Sequence, residues 1–217
     1  MFALDTNAAR AADVKTATIQ TAGKYKGKIV CVEYLENTAN GSKNVRIVFR
    51  SDDGQDASFF LNMVYQHNQQ NESSHKLLSA ILACIKLRNT GNTASGSVEK
   101  WNADLQKREQ VAALVFPDMA GKRIGLLIQM EIEKKSEKGY PRPIIYMPFD
   151  AETEKTASEV LAVPPVLKGE TLAKAVQYIA EHQLVDRRPK SGLASAAPAG
   201  FGGQAQSAPD LDDDIPF

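Results

Sequence analysis

The sequence predicts a mainly β fold, a small barrel with helices added to it, and three observations carry that reading. Segments rich in β-branched and aromatic residues recur from Lys15 to Pro148, separated by turns bearing Gly and Asn. In the clearest of them, Lys43 to Ser51, Val45, Ile47 and Phe49 face one way while Asn44, Arg46, Val48 and Arg50 face the other. Sustained helical periodicity is confined to two stretches, 73–88 and 170–184.

Residues 1–14 are alanine-rich without a period and predict a loose N-terminal arm. Strand signals start at Thr16-Ala-Thr-Ile-Gln-Thr and continue through Lys24 to Leu35. The Asn40-Gly41-Ser42 turn follows, Gly supplying the positive φ of a tight hairpin. Lys43–Ser51, a turn at Asp52-Asp53-Gly54, and Ser58-Phe-Phe-Leu-Asn complete a three-stranded meander, with Phe49, Phe59 and Phe60 expected in the core. Ser73 or Ser74 is expected to cap a helix whose Leu77, Leu78, Ile81, Leu82 and Ile85 recur at helical spacing. Residues 89–98 read as a flexible polar loop, and Glu99–Gln110, around Trp101, as a short helix or an irregular excursion. Strands return at Val111–Phe116, Arg123–Glu133 and Pro143–Pro148, with the loop 134–142 between the last two.

Three strands, a helix and two or three strands fit a five-stranded Greek-key barrel of the OB kind, with the helix bridging strands three and four. Other small barrels and α+β sheets fit the same order. Beyond it, Thr156–Leu161 predicts a short helical turn ended by Pro164-Pro165. In the amphipathic stretch 170–184, Leu172, Val176, Ile179 and Leu184 form one stripe, and such a short helix needs a surface to pack on. The folded domain is therefore expected over 15–186. Residues 187–209, rich in Pro, Ser, Ala, Gly and Gln, predict a disordered linker, and about 20 residues of such chain reach roughly 25 Å.

Composition bounds the function. Hydrophobic residues make up 43% and charged residues 24%, as in ordinary soluble domains. No apolar run approaches the roughly 20 residues of a membrane-spanning helix, and the N-terminal residues lack a signal design, so a cytoplasmic location is expected. Cys31 and Cys84 sit in apolar segments and read as reduced core residues. The formal net charge of zero hides a division. Residues 191–217 hold four Asp and no Lys or Arg, so of 26 basic and 26 acidic residues the first 190 keep 26 against 22.

Residues 210–217, Asp-Leu-Asp-Asp-Asp-Ile-Pro-Phe, place four carboxylates before two large apolar side chains. A core would strand the charges, and solubility gains nothing from exposing Phe217. The pattern suits a docking peptide: a receptor pocket takes the ring, one cation the carboxylate after it, and a basic rim the aspartates. Linker, acidic run and Asp-Ile-Pro-Phe tip together resemble the C-terminal segment of bacterial single-stranded DNA-binding proteins. The resemblance covers about the last 27 residues. It implies that Asp212, Asp213, Asp214, Ile215, Pro216 and Phe217 recruit enzymes of replication, recombination and repair. The body departs from that family's usual pattern in its helices and in residues 89–110. It is more similar to phage-encoded members with divergent OB domains, the stretch Phe116-Pro-Asp-Met-Ala-Gly-Lys-Arg-Ile-Gly-Leu-Leu-Ile-Gln being reminiscent of one group. A phage protein of this kind would act in the cytoplasm of its bacterial host.

Sequence-tolerant binding of single strands requires cations along the backbone and aromatic faces for the bases. Candidates are Lys24, Tyr25, Lys26 and Lys28 on the first strand, and Arg46 and Arg50 on the second. Trp101, Lys107 and Arg108 follow in the excursion, and Lys135, Lys138, Tyr140 and Arg142 in the loop before the last strand. No cofactor or metal is expected, because His67, His75 and His182 lack ligand partners at useful spacing. Gly121-Lys122-Arg123 lacks the rest of a phosphate-binding loop, Glu131 and Glu133 read as one solvated strand face, and no nucleophile motif occurs. A non-enzymatic, monomeric binding protein is the expectation. The alternative is a protein-interaction adaptor on the same barrel, or a nuclease or annealing enzyme whose carboxylates are scattered through the sequence.

Overall fold

The computed structural model describes residues 18–102, 105–161 and 171–189. The expected arm 1–14, the linker from residue 190 and the tip 210–217 lie outside the described residues. Among those described, no helix is long and apolar enough to cross a membrane.

Among the described residues the fold is mainly β, a single sheet of eight strands. The strands are β1 (Gly23–Asn37), β2 (Ser42–Ser51), β3 (Asp56–Val64), β4 (Ala94–Asn102), β5 (Lys107–Val115), β6 (Arg123–Ile132), β7 (Arg142–Phe149) and β8 (Leu184–Asp186). Helix α1 (Glu72–Cys84) follows β3, and α2 (Ala157–Leu161) and α3 (Leu172–Glu181) follow β7. All named pairings are antiparallel except β6 with β8.

The meander forms as its alternation predicts. In β2 and β3, Val45, Ile47, Phe49, Ala57, Phe59, Leu61 and Met63 are buried on one face. β1 is long because it serves three neighbours. One edge pairs with β2 from Gly27 to Asn37, while the other pairs with β6 through Gly23–Lys28 and with β5 at Glu33 and Tyr34. A bulge between Ile29 and Cys31 lets the strand bend between these tasks. Gly27 sits where the bend brings backbones together: a Cβ there would lie 2.1 Å from the Arg50 carbonyl oxygen. β6 shows no alternation, because both its faces are covered: Ile124, Leu126 and Ile128 join the main core, and Leu127 packs under Ala175 and Ile179 of α3.

α1 packs its Leu78, Ile81 and Cys84 against the main core, in contact with β3 and β7. β3 and β7 also touch each other without a hydrogen-bonded ladder. The cap of α1 is Asn71, not a serine: its Oδ1 accepts the Ser74 N–H at 3.3 Å. α2 opens on a reciprocal cap, in which the Thr156 N–H donates to Glu159 Oε2 at 2.7 Å and the Glu159 N–H to Thr156 Oγ1 at 3.4 Å.

Several expectations are corrected here. The five-stranded barrel becomes an eight-stranded sheet among the described residues: the loop 89–98 and the excursion 99–110 supply β4 and the start of β5, which runs on into the strand expected at Val111–Phe116, and β8 is added. Ala94–Gln110 carries no apolar period, since much of both faces of the hairpin is exposed, and so only Val111–Val115 of it shows a strand signal. Leu184 leaves the helical stripe to begin β8 and is 51% exposed. Glu131 is not solvated: it is buried, with one oxygen accepting from Arg142 at 3.1 Å and the other from Arg187 at 2.5 Å. Those pairs fasten β6 to β7 and to the segment after β8. Phe60 and Cys31 leave the core for the opposite face, where the candidate site lies.

Candidate nucleic-acid interface

Cross-strand register builds the site. On the outer face of β1, β2 and β3 the side chains form rows: Glu33–Arg46–Phe60, Cys31–Val48–Ser58 and Lys28–Arg50–Asp56. Period-two alternation puts these residues outside because their neighbours Val45, Ile47, Phe49, Phe59 and Leu61 are inside. The β4–β5 hairpin curls over this face. Its base, Ala94 and Val115, is level with Glu33, yet the Lys100 ammonium reaches the Glu33 carboxylate at 2.6 Å. Six residues of straight strand would carry Lys100 about 20 Å away, so the hairpin must fold back.

Sheet and hairpin enclose a groove of about 500 Å³. Its floor includes Val30, Cys31, Arg46, Val48 and Arg50. On the hairpin side, Glu99, Trp101, Arg108 and Gln110 share one face, since Glu99 opposes Gln110 and Trp101 opposes Arg108. Two large aromatic rings are left open to solvent beside it, Phe60 at 58% and Trp101 at 60% exposure. The Arg46 guanidinium lies 5.8 Å from the Phe60 ring centroid, a cation–π arrangement.

The charges here are balanced. Glu33, 1% exposed, is held by Arg46 at 3.3 Å and Lys100 at 2.6 Å, and Arg46 also donates to Ser58 Oγ at 2.8 Å. Arg50 grips Asp56 through two hydrogen bonds of 2.7 and 2.9 Å, and Arg108 meets Glu99 at 3.1 Å. The arginines are thereby pre-oriented, but an incoming phosphate must share each with a carboxylate. Burial first, then Glu33, pushes the Cys31 thiol up against the pull of Arg46, so the floor there stays uncharged at neutral pH.

Of the sequence candidates, Arg46, Arg50, Trp101 and Arg108 line the groove, and Lys28 stands beside it opposite Arg50. Lys24 and Lys26 point outward from β1 but both bind Glu154, at 2.7 and 2.6 Å. These two lysines hold the Glu154 carboxyl down at about 2. Tyr25, of opposite parity, packs against the main core and donates its hydroxyl to the Thr21 carbonyl oxygen at 3.0 Å. Lys107 is on the hairpin and pairs with Glu109 at 3.3 Å. Lys135, Lys138, Tyr140 and Arg142 are not brought to the groove. They follow the far end of β6, nine residues beyond Arg123, a rise of about 30 Å along the strand. Tyr140 is 74% exposed there, and Arg142 is committed to Glu131 and Glu133.

Sequence reasoning missed Phe60 and Glu33. The signal for Phe60 was present: alternation through Asp56–Val64 puts the odd positions inside and Phe60 outside. Glu33, a carboxylate within an otherwise apolar strand, called for a cation partner. Among the described residues, no group of three or more His, Cys, Asp or Glu side chains is placed to hold a metal ion. No protein-family model matches the chain, and no curated protein matches it either.

Proposed function

We propose that this chain is a sequence-tolerant single-stranded DNA-binding protein, acting in replication, recombination and repair, built on an OB-type barrel with an inserted hairpin. Supporting the barrel reading, β1 pairs with both β2 and β6, α1 stands between β3 and the later strands, and β3 touches β7. In this reading the β4–β5 hairpin is the insertion. The observation that carries the function is the pair of exposed rings, Phe60 and Trp101, beside a groove containing three arginines. Bases stack on the rings at about 1–3 kcal/mol each, which tolerates any sequence because every base offers a face. Arg46, Arg50 and Arg108, already oriented by their carboxylates, turn their remaining N–H groups to the phosphates. The reading extends to residues 212–217 as the docking element for partner enzymes, on the strength of the acidic run followed by Ile215-Pro216-Phe217.

Trp101 is the chain's single tryptophan, so it reports directly. Titration with oligo-dT is expected to quench its emission with salt-sensitive affinity; no quenching and no binding at micromolar protein would sink the proposal. Deleting residues 210–217 is expected to tighten binding at low salt, with the gain fading as salt is raised. The saturation of Arg46, Arg50 and Arg108 by carboxylates favours a second reading, an adaptor whose groove takes a peptide. Failure to bind any oligonucleotide, with retention of a protein partner, is the outcome that selects it.

A further inference from the structure

The groove opens at one end onto a row of cations that continues across the sheet. Lys28 on β1 lies directly opposite Arg50 on β2 and, on its other side, directly opposite Arg123 on β6. Directly opposed residues project to the same face, so Arg50, Lys28 and Arg123 stand abreast over two interstrand spacings, about 10 Å. All three are exposed. Arg50 is paired to Asp56, and Arg123 to Asp52 through bonds of 2.9 and 2.8 Å. No ion pair to Lys28 is seen among the described residues. Lys122 follows, exposed, in a turn tied to β1: Gly121 adopts φ +75° and donates its N–H to the Ile29 carbonyl oxygen at 2.8 Å, and the Lys122 carbonyl oxygen accepts the Ile29 N–H at 2.9 Å. Lys122 and Arg123 both line a small cavity of about 80 Å³ with Lys86, Asp150 and Glu152, Lys86 being paired to Asp150 at 3.0 Å.

The other exits are less favourable to an anion. Further along β1 the cations Arg46 and Lys100 are closed around the buried Glu33, and across β3 the surface presents Asp56. On the outer face of β6, α3 covers Leu127, while Lys24 and Lys26 are closed around Glu154. Of these exits, among the described residues, the side crossed by Lys28 and Lys122 is the one that offers cations without a carboxylate partner.

Resting on the reading of the groove as a single-strand site, we infer that the bound strand leaves it by crossing β1 at Lys28 and running over Arg123 to Lys122. The footprint is then larger than the groove, in two parts of different character. Stacking dominates in the groove, where carboxylates balance all three arginines; on the row Asp56 and Asp52 likewise balance Arg50 and Arg123, so phosphate contact there falls to Lys28 and Lys122. Short oligonucleotides therefore bind with a shallow salt dependence, and longer ones with a steeper one.

The test is an oligo-dT length series with the full chain and with the double variant Lys28→Gln, Lys122→Gln, following Trp101 emission and affinity across a salt range. Oligomers just long enough to quench Trp101 fully are expected to bind both proteins alike. Longer ones are expected to gain affinity with the wild type and not with the variant. The variant's salt slope for them becomes shallower by about 1.4, at about 0.7 for each of two lost cations on single strands. Because both lysines are exposed, thermal unfolding should be unchanged; should the double variant fail to fold, Lys28→Gln alone is expected to give about half the slope change. Wild-type slopes retained by a folded variant on long oligomers would overturn the row while leaving the groove intact. No binding by the wild type at any length would overturn both.

Discussion

Phe59 and Phe60 are neighbours in β3 with opposite fates, and truncating each to alanine separates folding from binding. Phe59 is 4% exposed within the main core. Phe59→Ala removes a buried ring and leaves a cavity, at a cost of about 3–5 kcal/mol. For a domain of this size about 2–4 °C of melting temperature follows each kcal/mol, so a fall of about 6–20 °C is expected. Phe60 is 58% exposed, and its described contact is the cation–π approach of Arg46 at 5.8 Å. Losing that costs about 0.5–1 kcal/mol of stability, or about 1–4 °C. If a base stacks on it, Phe60→Ala instead weakens oligo-dT binding by about 1–3 kcal/mol, roughly five- to 150-fold. Thermal unfolding followed by circular dichroism, and titration followed by Trp101 emission, read the two effects separately. A Phe60→Ala protein as destabilised as Phe59→Ala would refute the facing of β3, and one that binds oligo-dT like the wild type would refute the stacking platform.

Glu33→Gln keeps the shape of a buried side chain but leaves Arg46 and Lys100 facing each other without their shared anion. A loss of about 1–3 kcal/mol is expected, and hydrogen exchange should quicken most in the β4–β5 hairpin; uniform quickening would mean that Lys100 does not hold the hairpin down. Gly27→Ala places a methyl 2.1 Å from the Arg50 carbonyl oxygen and 2.7 Å from Ser51 Cα, backbone atoms that cannot rotate away. It should cost about 1–3 kcal/mol or more in chemical denaturation, and a neutral result would show that β1 and β2 lie further apart at the bend. Burial alone would raise the Asp150 carboxyl, but hydrogen bonds from the Thr153 and Glu152 N–H groups and from Lys86 outweigh it and hold the group at about 2, below its ordinary 3.8. Because the folded value is the lower one, the stabilisation is complete above about pH 4 and is lost as pH falls towards 2, amounting to about 2 kcal/mol. Asp150→Asn should flatten stability across that window, and an undiminished slope there would assign the acid sensitivity to other carboxylates.

Much of the fold was legible because local chemistry and tertiary environment agreed. β2 alternates cleanly since one face meets the core and the other does not, and α1 shows a stripe since one side of it is buried. Thr156 and Glu159 spell out their own cap. Of the hairpin only the Val111–Val115 end of β5 was legible: Ala94–Asn102 and Lys107–Val115 are exposed over much of both faces, so nothing forces apolar residues into a period. Phe60 was misplaced because two adjacent phenylalanines look alike in composition, and only strict alternation tells them apart. Within the candidate site, the arginines and Trp101 could be picked by residue type. Their carboxylate partners could not, because Glu33 and Asp56 meet them only across the register of neighbouring strands.

By itself the sequence determined the mainly β class, the meander, the helix after it and the acid-rich character of residues 210–217. Each depends on residue spacing or composition within a short window. Only the tertiary structure decided which cations work together. It gathered Arg46, Arg50 and Arg108 around one groove and sent Lys24 and Lys26 to Glu154. The cationic loop with Tyr140 ended up at the far end of β6. The reason is geometric: strand pairing joins residues tens of positions apart at about 5 Å and separates residues of one strand by about 3.3 Å per step. A surface is therefore set by register, which no local pattern records.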